Sequence, residues 1–95
     1  MTTPTGLTEF RLTDHVKDEM ARRQISESDV AQVLVKPEQR ITVREGREVF
    51  QSRVMLTEPP QAYLLRVFVD VDRQPPEVVT VYRTSKIEKY WRVDS

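Results

Sequence analysis

The chain changes its hydrophobic period once. Leu12, Val16 and Met20 stand four apart, which places them on one stripe of a helix. Thr13 suits its N-cap, with Asp14 in the positive first turn. The pattern breaks near Gln24, and a second helix start follows. Ser26 can cap the amide of Asp29, whose carboxylate can answer back as a short capping box, and Ile25 and Val30 hold the two staple positions. Val30, Val33 and Leu34 supply the buried face, and Pro37 ends the helix. The pieces predict an αα-hairpin over about residues 13–36. Residues 1–12 carry Thr, Pro and Gly without clear periodicity and read as a loose lead-in.

Beyond Pro37 the period becomes two. Arg40 to Val43 is a short candidate strand, and Glu45-Gly46 makes the turn. Arg47 to Leu56 reads as a long strand with Phe50, Val54 and Leu56 on one side. After Glu58-Pro-Pro-Gln61, the run Tyr63 to Val71 alternates. Tyr63, Leu65, Val67, Val69 and Val71 point inward; Leu64, Arg66, Phe68 and Asp70 point outward. Asp72-Arg-Gln-Pro-Pro76 is a turn whose prolines cannot donate to a ladder. In the last strand, from Val78, the alternation puts Val79 and Val81 inward and Thr80, Tyr82 and Thr84 outward.

Helices followed by consecutive strands with short turns predict an α+β fold, with two N-terminal helices packed on an antiparallel sheet of about four strands. The helices would cover the valine-rich face. The face with Arg66, Phe68, Thr80, Tyr82 and Thr84 would be left to solvent or a partner. The 95 residues have interior for one modest core, so a single domain spanning 1–95 is expected.

Composition narrows the function classes. Fifteen cations balance fifteen anions, so no overall field draws the protein to nucleic acid or anionic lipid. With no cysteine and one histidine, thiolate chemistry is absent and a dedicated transition-metal site is not expected. The N-terminus lacks the basic and apolar regions of a signal peptide, and no apolar run is long enough to span a bilayer. A cytoplasmic protein with no membrane association, metal or cofactor is the expectation. Two glycines, Gly6 and Gly46, exclude a glycine-rich phosphate loop.

Three groups of residues carry candidate chemistry. Arg66 beside Thr80, Tyr82 and Thr84 offers a guanidinium fork with hydroxyl donors, a suitable arrangement for an anion. Phe68 on the same face suits a base platform or a protein contact. The tail places four cations, Arg83, Lys86, Lys89 and Arg92, against Glu88 alone and among Tyr90 and Trp91, whose rings suit packing on the sheet equally well. His15 falls in the first turn of the first helix, where a neutral ring able to accept a proton is reasonable, and Glu19 one turn on could orient it.

The segments His15-Val-Lys-Asp-Glu-Met-Ala-Arg-Arg23, Ile25-Ser26, Val30, Leu34, Pro37 and Val79-Thr-Val-Tyr-Arg-Thr84 resemble the domain-of-unknown-function family 4258 over nearly the whole chain. That family is similar to the small bacterial ribonucleases and toxins built like RelE, barnase and EndoU. In those proteins two helices pack on an antiparallel sheet where RNA is cleaved without metal. The resemblance implies ribonuclease ancestry. The family often has arginine where this chain has Glu19, and glycine where it has Gln24; a carboxylate in place of a guanidinium would repel phosphate.

Metal-independent RNA cleavage needs a base for the 2′-hydroxyl, a cation for the phosphorane and an acid for the leaving oxygen. The resemblance implies His15, Tyr82 and Arg83 as the catalytic candidates. Arg66, Phe68, Thr84 and Lys86 would bind the substrate. The partners would be RNA and a protein such as an antitoxin. The alternative is a non-catalytic protein-interaction module using Phe68, Tyr82, Tyr90 and Trp91. The catalytic reading requires His15 within a side chain's reach of Tyr82, Arg83 or Lys86.

Overall fold

The computed structural model describes residues 4–93. Helix α1 (Asp14–Arg23) opens at Thr13, whose hydroxyl accepts from the Val16 amide at 3.2 Å. Helix α2 (Glu27–Val35) opens at Ser26, which accepts from the Asp29 amide at 3.1 Å. Each cap satisfies an amide that the first helical turn leaves without a partner. Gln24 ends α1 in the left-handed region, and the next amide, Ile25, returns to the Met20 carbonyl at 2.9 Å. Leu12 belongs to a two-residue strand, β1 (Arg11–Leu12), instead of heading α1. The reason is the extended backbone of Thr13, φ −73° and ψ 159°, which delays helical geometry until Asp14.

The remaining elements are β2 (Gln39–Arg44), β3 (Arg47–Leu56), β4 (Gln61–Asp70), β5 (Glu77–Thr84) and the short helix α3 (Ile87–Tyr90). The sheet order is β1-β5-β4-β3-β2. Strands β2 to β5 form an antiparallel meander, and β1 joins β5 in parallel. The fold is α+β, with five strands and three helices among the described residues. The elements beyond the expectation, β1 and α3, are too short to establish a period in the sequence. Gly46 turns β2 into β3 at φ +83°, where a Cβ would also meet the Asp72 carboxylate at 2.6 Å. No helix among the described residues is long and apolar enough to cross a membrane.

The core lies between the helices and one sheet face. Val16, Met20, Ile25, Val30, Val33 and Leu34 pack on Phe50, Leu65, Val67, Val69, Val78 and Val81. Strand β5 departs from the expected alternation. Val67 pairs with Val81 and Phe68 with Thr80, but Val69 pairs with Val78. Val79 is thus the extra residue of a β-bulge, and Val78, fully buried, takes the inward place expected for Val79. From Thr80 onward the expected faces hold.

Residues 4–12 of the expected loose lead-in are docked. The Leu7 amide donates to the Leu34 carbonyl at 2.7 Å, and Gly6 passes against the Leu34 and Val35 carbonyls too closely for a side chain. Residues 1–3 lie outside the described residues.

Side chains take over where β1 stops. The Thr13 hydroxyl donates to the Val78 carbonyl at 3.3 Å, and the Val81 amide donates to Glu19 Oε1 at 2.9 Å. Further along, Arg83 Nη1 donates to the Arg23 and Gln24 carbonyls at 3.0 and 3.3 Å. Helix α1 therefore runs beside β5 and satisfies groups on an edge that a longer β1 would have covered.

Candidate anion-binding site on the outer sheet face

Register aligns a row of polar side chains across the sheet. Gln39 stands opposite Gln51, Gln51 opposite Arg66, and Arg66 opposite Tyr82. Their strand neighbours Phe50, Val67 and Val81 face the core, so the row lies on the face turned away from α1 and α2. Hydrogen bonds join it end to end. Arg66 Nη1 donates to the Tyr82 hydroxyl at 2.7 Å, and Arg66 Nε to Gln51 Oε1 at 2.8 Å. Gln51 Nε2 in turn donates to Gln39 Oε1 at 2.7 Å. Because a guanidinium only donates, it fixes the orientation of Gln51, which fixes that of Gln39.

Arg66 is held without an anion. Its Cζ lies 4.4 Å from the Tyr90 ring centroid, 5.2 Å from Phe68 and 5.7 Å from Tyr82. Phe68 stacks on Tyr82 at 6.0 Å, and Tyr90 meets Tyr82 edge-on at 6.4 Å. Cation–π contacts contribute roughly 0.5–2 kcal/mol each, which offsets part of the desolvation of a half-buried cation. They do not neutralise it. Five of the other ten arginines have carboxylates: Arg11 with Glu77, Arg23 with Glu19, Arg40 with Glu48, Arg47 with Asp70 and Arg53 with Glu38. Arg66 has none among the described residues.

Two acids bordering this face are already engaged, while Glu88 of α3 is exposed. The Arg47 guanidinium donates to Asp70 at 2.7 and 3.2 Å and holds its carboxyl below the usual carboxylate range. Hydrogen bonds from the Arg53 side chain likewise lower Glu38. Lys89 adds positive charge, its Nζ 5.3 Å from the same Tyr90 ring that Arg66 covers at 4.4 Å.

Two donors remain for an incoming anion. Among the described residues no buried polar side-chain atom lacks a partner. Arg66 Nη2, which makes no hydrogen bond among the described residues, is therefore not fully buried. The Tyr82 oxygen accepts from Arg66, which leaves its own proton to donate. Guanidinium N–H and phenolic O–H side by side form a fork for an oxyanion.

The tail covers much of the face expected to stay open. Gln51 and Leu64 are fully buried there. Gln51 Nε2 also donates to the Tyr90 carbonyl at 3.1 Å. Gln39 binds both polar groups of Arg92, donating to its carbonyl at 2.6 Å and accepting from its amide at 3.0 Å. The Arg53 guanidinium lies 4.2 Å from the Trp91 ring centroid.

Of the candidate residues, Arg66, Phe68 and Tyr82 come together. Thr84 shares their face, its hydroxyl accepting from the Lys86 amide at 3.1 Å where the chain turns toward α3. Lys86 is exposed beside that turn. Arg83 points to the other side, binding the last carbonyls of α1 and lying 5.3 Å from the Tyr63 ring. His15 is exposed in the first turn of α1, its Nε2 3.9 Å from Glu19. It is thus separated from the Arg83 contact by about 12 Å of helix and from Tyr82 by the plane of β5. The catalytic trio is not assembled in one place. Glu19 is buried against the Val81 amide, away from the row.

Sequence reading missed Gln39 and Gln51. A glutamine on the outward side of a strand reads as solvated, and only register shows that two of them continue the line of Arg66. The available signal was Gln51 at the middle of the long β3.

No curated protein and no solved structure matches the chain. The model of a family described as a domain of unknown function, DUF4258, matches residues 12–83. Its span runs from Leu12 of β1 to Arg83 of β5 and includes every member of the polar row. The chain belongs to the DUF4258 family.

Proposed function

We propose that the outer sheet face binds single-stranded RNA, with Arg66 and Tyr82 gripping a backbone phosphate, in a small domain of the RelE, barnase and EndoU type. The observation that carries this reading is a half-buried guanidinium, fixed by Gln51 and Tyr82, with no carboxylate partner among the described residues. Removing a cation from water without a counter-charge is costly, and a phosphate would supply the missing charge. Phe68 offers a ring beside the clamp for a base, and the exposed Lys86 adds positive charge just beyond Thr84.

The reading is of binding. Tyr82 alone among the candidates for proton transfer stands at the clamp, and His15 lies across the sheet. Contact with a protein through the rings of Phe68, Tyr82, Tyr90 and Trp91 is the second reading, because apolar contact with those rings leaves the Arg66 charge unmatched.

The test measures binding of an oligouridylate by fluorescence anisotropy in EDTA and low salt. Arg66→Gln should weaken binding at least tenfold, on the order of one charge-assisted hydrogen-bond pair. Tyr82→Phe should weaken it several-fold, and His15→Ala should leave it unchanged. Equal affinity for wild type and Arg66→Gln would refute the clamp. RNA cleavage in EDTA that Arg66→Gln and Tyr82→Phe abolish would add a ribonuclease step to the same face.

A further inference from the structure

The tail segment Ile87–Val93 lies across the polar row, and the chemistry of its attachment is informative. Gln39 holds Arg92 by one amide-to-peptide pair, accepting from the Arg92 amide and donating to the Arg92 carbonyl. A nucleobase edge with a donor beside an acceptor offers glutamine the same pair of groups. The Tyr90 ring meanwhile occupies one side of the Arg66 guanidinium at 4.4 Å. The tail therefore satisfies the polar groups that an RNA strand on this face would use.

Its attachment is also light. Helix α3 has four residues, none of them buried, and its N-cap makes no side-chain hydrogen bond. A helix that short has little stability of its own. The segment is held by Gln39, Gln51, the Arg53–Trp91 contact and the Tyr90 ring against Arg66 and Tyr82, with no side chain of α3 itself buried. Local opening of a terminal segment with few buried contacts requires much less free energy than unfolding the sheet.

We propose that Ile87–Val93 is an autoinhibitory strap that occupies the RNA site in the free protein and must leave it for RNA to bind. This rests on the proposed RNA-binding reading and extends it to regulation. Trp91 and the Gln39–Arg92 pair hold the strap closed, and Gln39 and Gln51 face the ligand once it opens. The apparent affinity is reduced by the fraction of molecules in which the strap is closed.

The test uses the full-length protein labelled with 15N and titrated with a hexauridylate in EDTA. The Arg66 and Tyr82 signals are expected to shift. At the same time the Arg92 amide, protected by Gln39 in the free protein, should move to the shift and rapid hydrogen exchange of an unstructured chain. Trp91→Ala, which removes the ring under Arg53, should bind the hexamer about tenfold more tightly as the closed population falls. Shifts at Arg66 and Tyr82 with Arg92 still protected would overturn the strap and leave RNA binding standing. Unchanged or weaker binding by Trp91→Ala would also overturn the strap. Absence of shifts at Arg66 and Tyr82 would overturn both the strap and the RNA-binding reading.

Discussion

Gln24 carries a side chain where the backbone enters the left-handed region, at φ 56° and ψ 47°. For a residue with a Cβ that conformation costs about 1–2 kcal/mol, and glycine at the end of a helix avoids most of it. Glycine also gains freedom in the unfolded chain, which returns about 0.5–1 kcal/mol of the benefit. Gln24→Gly is therefore expected to stabilise the fold by about 0.5–1 kcal/mol. The Gln24 contact with Arg83 survives the change because it uses the backbone carbonyl. Urea denaturation reads the difference, and a lower midpoint for Gln24→Gly would contradict this account of the turn. The break at Gln24 was legible in the sequence because periodicity stops there. The polar row was not, since pairing Gln39 with Gln51 and Gln51 with Arg66 depends on register between segments distant along the chain.

Helix α1 shows how a short element is secured. Its buried residues are Val16, Glu19 and Met20, so it contributes only two apolar side chains to the core. Burial of two such groups stabilises by roughly 3–6 kcal/mol, which leaves a clear role for its polar contacts with β5. Glu19 accepts from a strand amide that would otherwise be buried without a partner. Glu19→Ala is expected to cost about 1–3 kcal/mol, the penalty for an unsatisfied buried donor. Glu19→Gln keeps an acceptor oxygen and should cost clearly less. Chemical denaturation of the two variants checks this, and equal losses would mean that the Val81 hydrogen bond is not what Glu19 contributes. The sequence displayed both long helices through their caps and spacing. It could not display the inward shift from Val79 to Val78, because a bulge adds one residue without changing composition. Nor did it mark β1 or α3, with two and four residues, which are too short to repeat a period.

Over the whole molecule, charge is balanced in number but not in placement. Arginines at the sheet margins are neutralised by Glu77, Glu48, Asp70 and Glu38, whereas Arg66 near the middle of β4 has glutamine, tyrosine and aromatic rings around it. A net charge of zero argued against a nucleic-acid partner when only composition was considered. The folded chain gathers one half-buried cation, a phenol and flanking lysines on a single face, and locality decides what net charge cannot. The central claim is that Arg66 is the anion-binding group of this face. Its most direct test follows the side-chain 15N–1H signals of Arg66 while an oligouridylate is added to the intact protein. The expected result is a saturable shift of the Arg66 guanidinium signals, which needs several-fold more oligouridylate in Tyr82→Phe and is lost at raised salt. Saturable shifts confined to the helix-side cations Lys17, Arg22 and Arg23, with Arg66 unmoved, would contradict it.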